Sequence, residues 1–271
     1  MTPPIFRGID HIMLRLPALE PLYTLFSDTF GLPVSWPLQR SGFADFAWVT
    51  VGNTNLEFWA AADNADLPED CQPPLIHGFA LDPEDLGSSI EQLAARGIHC
   101  KEPRPYRTED GNGGMVTNFT NAVVLDLSSA SLCIFFCKWS KNGNIFPWQE
   151  KLDAQERKAR ERAQLAACDG GALGILGLAE IRLAVGEIEE KSRLWQAVLG
   201  VPALTLGDGI ALHLQAGSYD HIEALCFSVK SLAQARRFLD ARGLLEREVD
   251  GKLIISREAA GGLRFELIEV R

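Results

Sequence analysis

The chain has 271 residues, 46% of them hydrophobic and 23% charged, with a formal net charge of −10. That balance suits a soluble globular protein of about two domains and argues against nucleic acid as a partner, because phosphate contacts need clustered Lys and Arg. No run of about 18 apolar residues occurs, so no membrane span is expected. The opening MTPPIFRGID lacks a charged leader followed by an apolar stretch. No signal peptide is expected, and the cysteine usage makes a reducing cytoplasm the expected location. Six cysteines, at 71, 100, 133, 137, 168 and 226, make no C-x-x-C pair and read as reduced thiols.

Four segments share one design, a short strand followed by an amphipathic helix that ends near a glycine. The first strand, GIDHIMLRL, alternates Ile12, Leu14 and Leu16 with His11, Met13 and Arg15, so its two faces differ in chemistry. The helix after it carries Leu19, Leu22, Tyr23, Phe26 and Phe30 on one stripe, and Gly31 stands where a C-terminal cap belongs. FAWVTVGNTNLEFWAA then reads as two strands around a tight turn at Gly52 and Asn53. The second unit pairs PPLIHGFAL with a helix striped by Leu86, Ile90, Leu93 and Ala94 and closed by Gly97. His99 follows as an exposed turn residue, KEPRPYRTEDGNGG reads as a loop, and SLCIFFCKW reads as the last strand. GNGG has no following helix with Walker spacing and is a hairpin turn.

Residues 141–173 read as a helical connector, with RKARER at 157–162 as a solvated helix face. The third unit, GLAEIRLAV and GEIEEKSRLWQAVLGVPA, is short between its helix and its final strand and points to a lost or shortened strand. The fourth, HIEALCFSV and KSLAQARRFLDARGL, has the stripe Leu232, Ala235, Phe238 and Leu239 before Gly243. The expected fold class is α+β: four βαβββ modules paired into two half-barrel domains, residues 1–140 and 174–271, joined by the connector. In each pair the helices cover one face of the sheet and the other face curls into a cup.

This architecture resembles the vicinal oxygen chelate superfamily, which includes glyoxalase I, extradiol dioxygenases and bleomycin-resistance proteins. The resemblance covers nearly the whole chain and rests on the repeated modules and on residues at matching strand positions. It implies metal ligands on the first and last strands of each module, facing the cup. Those positions in the N-terminal pair are His11, Glu57, His77 and Phe135. The order His, Glu, His is similar to that of bacterial glyoxalase I, whereas Phe135 stands where that enzyme has a Glu that also acts as a base. The strand alternation agrees: Leu56 and Phe58 oppose Glu57, Ile76, Gly78 and Ala80 oppose His77, and Ile134 and Phe136 oppose Phe135.

Two histidines and one carboxylate suit a divalent metal with open positions. Fe(II) is favoured, with Zn(II), Mn(II), Co(II) or Ni(II) as alternatives. The other reading of the same residues is a polar-lined pocket without metal. Trp48, Trp59 and Phe135 are candidates for contact with an aromatic substrate, and Arg104 and Tyr106 for capping the cup over an acidic one. Cys133 and Cys137 share the parity of Phe135 and read as small apolar residues. The second domain offers Glu180, His213, Glu223 and Glu266, read either as a second site or as an ion-pair network with Arg182 and Arg264. The expected function is a metal-dependent enzyme, Fe(II) dioxygenase-type, acting on a small molecule chelated through adjacent oxygens. The alternatives are a glyoxalase-type isomerase or lyase and a non-catalytic small-molecule-binding protein. A small-molecule substrate is the expected partner, and a homodimer is compatible with the reading.

Overall fold

A computed structural model describes residues 4–69, 71–148, 150–200 and 204–269. Its N-terminal part is one eight-stranded sheet in the order β2-β3-β4-β1-β5-β8-β7-β6. The first module supplies β1 (Ile9–Arg15), the helix α1 (Glu20–Thr24, continued by a π turn), β2 (Val34–Arg40), β3 (Ala44–Thr50) and β4 (Asn55–Ala61). The second supplies β5 (Leu75–Leu81), α2 (Leu86–Ala94), β6 (Arg104–Glu109), β7 (Met115–Val123) and β8 (Cys133–Trp139). The first strands of the two modules pair antiparallel at the centre, and each is parallel to the last strand of its own module. The sheet curves into a half-barrel.

The connector contains α3 (Ala154–Ala167), which starts at a capping box between Asp153 and Glu156. The C-terminal sheet has six strands in the order β10-β9-β11-β14-β13-β12. The third module is β9 (Ile175–Val185), α4 (Ile188–Leu199) and β10 (Ala211–Ala216). The fourth is complete, with β11 (His221–Val229), α5 (Leu232–Asp240), β12 (Leu245–Val249), β13 (Lys252–Ile255) and β14 (Phe265–Glu269). Among the described residues the third module therefore has one strand after its helix where a full module has three. Among the described residues an isolated bridge joins Thr205 to Ala211 at the start of that strand.

The apolar stripes read from the sequence form one core shared by the two sheets. Phe26, fully buried, meets Phe58 of the first sheet at 5.7 Å and Phe265 of the second at 5.0 Å between ring centroids. Phe79 stacks on Trp195 of α4 at 6.0 Å. Aromatic pairs at these separations add to the burial of their area. Ala94, placed on the α2 stripe by spacing, is exposed. The turn at Gly52 and Asn53 does more than reverse the chain: the Asn53 amide donates to the Leu178 carbonyl and accepts from the Leu178 N–H, both at 2.9 Å. It clips the first sheet to β9. Gly31, Gly97, Gly200 and Gly243 follow their helices with φ of 67°, 75°, 69° and 65°, the left-handed cap conformation that glycine adopts without strain.

Gly78 has a different task. It lies where β5 passes closest to β8, and a Cβ there would meet the Cys133 carbonyl oxygen at 1.9 Å. Backbone cannot yield cheaply inside a packed sheet. Gly78→Ala is expected to lower stability by about 2–4 kcal/mol. Gly31→Ala, with nothing within 4 Å of its Cβ, should cost only about 1 kcal/mol for its backbone conformation. Urea midpoints of the two variants check the difference; equal losses would contradict the close approach.

Candidate active site in the N-terminal cup

The concave face of the first sheet encloses a cavity of about 840 Å³. Trp36, Trp48, Trp59, Phe119, Phe135 and Trp139 make most of its wall. The parity of each strand delivers them, since alternate residues of a strand share a face. On β1 this puts Ile12 and Leu14 in the core and His11, Met13 and Arg15 in the cup.

His11 is buried at the cavity floor, 4.5 Å from the Trp48 ring and 5.7 Å from the Phe135 ring between centroids. Its Nδ1 lies 2.7 Å from Asp10 Oδ2, and its Nε2 lies 3.5 Å from Glu57 Oε2. The Trp48 indole N–H donates to Glu57 Oε1 at 3.1 Å. Asp10 also accepts from the Trp139 indole N–H at 2.9 Å and from the Arg157 guanidinium of α3. Burial alone would raise the Asp10 pKa, but Arg157, His11 and Trp139 outweigh it and hold the carboxyl well below its usual range. The ionised Asp10 thus takes the Nδ1 proton of His11 as a hydrogen bond and turns Nε2 toward Glu57 and the cavity. Burial, opposed by His11 and Trp48, raises the Glu57 pKa. Nε2 and the Glu57 carboxyl stand side by side on the cavity floor, where a ligand hydroxyl can meet them.

His11, Glu57 and His77 all line this cavity, yet they do not form one coordination sphere. Among the described residues no three His, Cys, Asp or Glu side chains come close enough to hold a metal ion. The cause is a bulge in β5. Met13 pairs with Gly78 but Leu14 pairs with Ile76, leaving His77 as the extra residue. His77 thereby stands toward Arg15, whose charge acts on it together with that of Asp66. The residues level with His11 on the next two strands are Ala80, opposite it on β5, and Phe135, opposite Ala80 on β8. Neither is a donor. The bulge also reverses the parity read from the sequence: Ala80 packs on the cup side with Phe135 and Cys137, while Phe79 and Leu81 join the core. His11 and Glu57 could fill two metal positions, and the third and fourth are occupied by apolar side chains. The donor set does not fit the expected three-ligand centre.

Trp48, Trp59, Phe135 and Tyr106 line the cavity as expected, and Tyr106 stacks on Phe119 at 5.0 Å. Arg104 is exposed and lies outside the lining. The segment read as a loop is in fact the edge strand β6, paired with β7. Cys137 reaches the cavity wall, but burial raises its thiol pKa well above the ordinary value, so it serves as a small apolar residue.

On the second sheet, Glu180, Glu223 and Glu266 are neutralised by three cations. Lys252 Nζ lies 2.7 Å from Glu180, Arg264 lies 2.7 Å from Glu266 and 3.2 Å from Glu223, and Arg182 lies 3.1 Å from Glu266. His213, 3.9 Å from Glu180, has a side chain 57% exposed. These contacts make the ion-pair network, and it includes Lys252, which sequence reasoning had not named.

Sequence reasoning also missed Asp10 and Arg157. Alternation places Asp10 opposite His11 in direction, but β1 has its own irregularity: Ile9 pairs with Leu81 and His11 with Ala80, so Asp10 is an extra residue that turns toward His11. RKARER is solvated on one side only, at Ala159, Arg160 and Arg162. Arg157, Lys158 and Glu161 are buried, with Arg157 over the Trp139 ring at 5.2 Å and Lys158 paired to Asp208 at 3.3 Å. Trp139 was legible, since it shares the parity of Phe135 and Cys137.

The position of His77 has a measurable consequence. Burial, assisted by Arg15, lowers its pKa from 6.5 to about 4. Between those values the unfolded chain takes up a proton that the folded chain refuses. Stability is therefore intact above about pH 6.5 and falls as pH drops toward 4, by on the order of 2–3 kcal/mol. Urea midpoints measured at pH 7 and pH 4.5 should fall further for the wild type than for His77→Gln. An equal fall in both would place His77 in an ordinary solvated setting.

No protein-family model matches the sequence, and no curated protein matches it. Solved structures do. A mutant of 4-hydroxymandelate synthase from Streptomyces coelicolor is 14% identical, with a TM-score of 0.60 over 97% of this chain and 92% of that one. Homoprotocatechuate 2,3-dioxygenase from Arthrobacter globiformis is 13% identical, with a TM-score of 0.57 over 100% of this chain and 83% of that one. A hypothetical protein from Staphylococcus aureus is 8% identical, with a TM-score of 0.62 over 97% and 98%. Among the described residues no helix is long and apolar enough to cross a membrane. The chain shares the two-sheet fold of these structures, the vicinal oxygen chelate fold expected from its four modules.

Proposed function

We propose that the chain binds a small aromatic molecule in the N-terminal cup, with a hydroxyl or similar polar group of the ligand on the His11–Glu57 pair. The observation that carries this reading is the aromatic-walled cavity of about 840 Å³ with a buried polar chain, Asp10–His11–Glu57, at its floor. Such pockets are apolar with a few placed polar groups. The wall supplies faces for a flat ring. Asp10 holds His11 in one orientation, and Nε2 and Glu57 can exchange a proton with a ligand oxygen. The same pair can polarise a phenolic or enolic O–H, so proton-transfer chemistry on the bound molecule is within reach of these residues.

A second reading is a metal-dependent dioxygenase with Fe(II) or another divalent ion. The fold likeness favours it, and so does the Asp10–His11 contact, since a carboxylate commonly orients a metal-bound histidine. It needs a third donor, which Ala80 and Phe135 do not provide, and the first reading is therefore preferred.

Four tryptophans in the wall make the test direct. Phenol or catechol is expected to quench tryptophan fluorescence saturably, and His11→Ala should weaken binding by about tenfold, the worth of one buried hydrogen bond. Benzene should lose little with the same substitution. Metal content is expected below about 0.2 ions per chain, without gain on titration with Fe(II), Mn(II), Zn(II), Co(II) or Ni(II). One ion per chain, lost in His11→Ala, would overturn this reading in favour of the dioxygenase. Absence of any saturable quenching would remove the cup as a binding site.

A further inference from the structure

Arg15 is the other charged residue that β1 turns into the cup. It is four residues from His11 on the same strand, about 13 Å along it, and it is 7% exposed. Its terminal nitrogens make a two-pronged contact with Asp66, at 2.7 and 2.8 Å, and a third bond to Asn64 at 2.8 Å. Its Nε is buried without a partner. Both Arg15 and Asp66 line the cavity, as does His77 beside them. The partners are unequal. Arg15 is built into the central strand of the sheet, whereas Asp66 belongs to the coil after β4 and its side chain is 65% exposed.

That inequality decides what the pair can do. A buried guanidinium left alone is costly, so Arg15 must always have an anion. An ion pair with a mostly exposed carboxylate contributes little, because water competes for the exposed partner. Exchange of Asp66 for another carboxylate keeps Arg15 neutralised and keeps the fork geometry that suits a planar carboxylate. Asp66 then returns to water with its solvation intact. The incoming group lies in the cavity, where a charge-assisted bond is screened less.

Resting on the binding role proposed above, we infer that Arg15 is the anion subsite of the cup, that Asp66 occupies it in the free protein as an internal stand-in, and that the ligand is an aromatic carboxylic acid whose carboxylate displaces Asp66. The ring lies along the aromatic wall, the acid group meets Arg15 at one end, and the His11–Glu57 pair takes a hydroxyl at the other.

A hydroxyphenylpropanoate and its primary amide, titrated into the full chain and read by tryptophan fluorescence, separate this inference from the one it rests on. The wild type should bind the acid about tenfold or more tightly than the amide. Asp66→Asn should tighten the acid several-fold by removing its charged competitor, and raise the acid-over-amide ratio with it. Arg15→Gln should abolish the preference while the amide still binds. If acid and amide bind the wild type equally, or if Asp66→Asn leaves acid binding unchanged, the subsite is overturned and the aromatic cup stands. If neither probe binds, both fall.

Discussion

The contact between Asp10 and Arg157 is the constraint on which the rest of the N-terminal cup depends. Asp10 is a carboxylate with no exposed side-chain surface in the central strand of the sheet. A guanidinium reaching it from α3, together with His11 and Trp139, keeps it ionised, and breaking such a pair leaves an uncompensated buried charge. Three consequences share that one anchor. α3 is fixed against the sheet by a charge that cannot leave. The Trp139 ring is fixed between the Arg157 cation and the Asp10 oxygen. His11 is fixed in orientation, with Nε2 presented to Glu57 and the cavity. The connector is therefore a structural part of the site and not a tether between two sheets.

The two sheets treat buried charge in opposite ways. In the second, Glu266 is almost wholly buried among Arg182, Lys252 and Arg264, and the cations match the carboxylates one for one. That face is closed by its own side chains. In the first, the polar groups sit at the floor and one end of an open cavity, and aromatic residues separate them. Arg15, His11 and Glu57 are each satisfied at one side and leave another side toward the cavity. A surface of that kind gains from a ligand, whereas the second surface would have to lose ion pairs to accept one.

Most of the fold was legible in the sequence because it depends on periodicity. The stripes Leu19, Leu22, Phe26 and Phe30 on α1 and Ala235 and Leu239 on α5 are core residues, and the four cap glycines have left-handed backbones as their positions require. The shared face of His11, Glu57 and Phe135 was legible for the same reason, since strand alternation carries it. What was hidden in each case is a departure from alternation. One extra residue in β1 brings Asp10 to His11, and one extra residue in β5 carries His77 away from it. A bulge has no fixed residue signature and changes the face of everything beyond it. The burial of Arg157 and Glu161 was hidden because a charged helix segment next to a distant buried Asp looks like any solvated segment until the chain is folded.

The shortened third module explains why chemistry concentrates in one cup. In the first sheet, β2 and β3 extend beyond β4 and bring Trp36 and Trp48 over the floor. In the second, β10 is already the edge, next to β9, so among the described residues no strands stand in those places. A cup without that wall cannot shield a polar floor from water or supply ring faces to a ligand. Its carboxylates must then be neutralised from within the sheet, and Arg182, Lys252 and Arg264 do this. The two sheets share irregularities in their central strands and differ in the strands that follow the first helix of each pair. The intact module pair kept an enclosed space, and the shortened pair kept its charge balance and its share of the common core around Phe26.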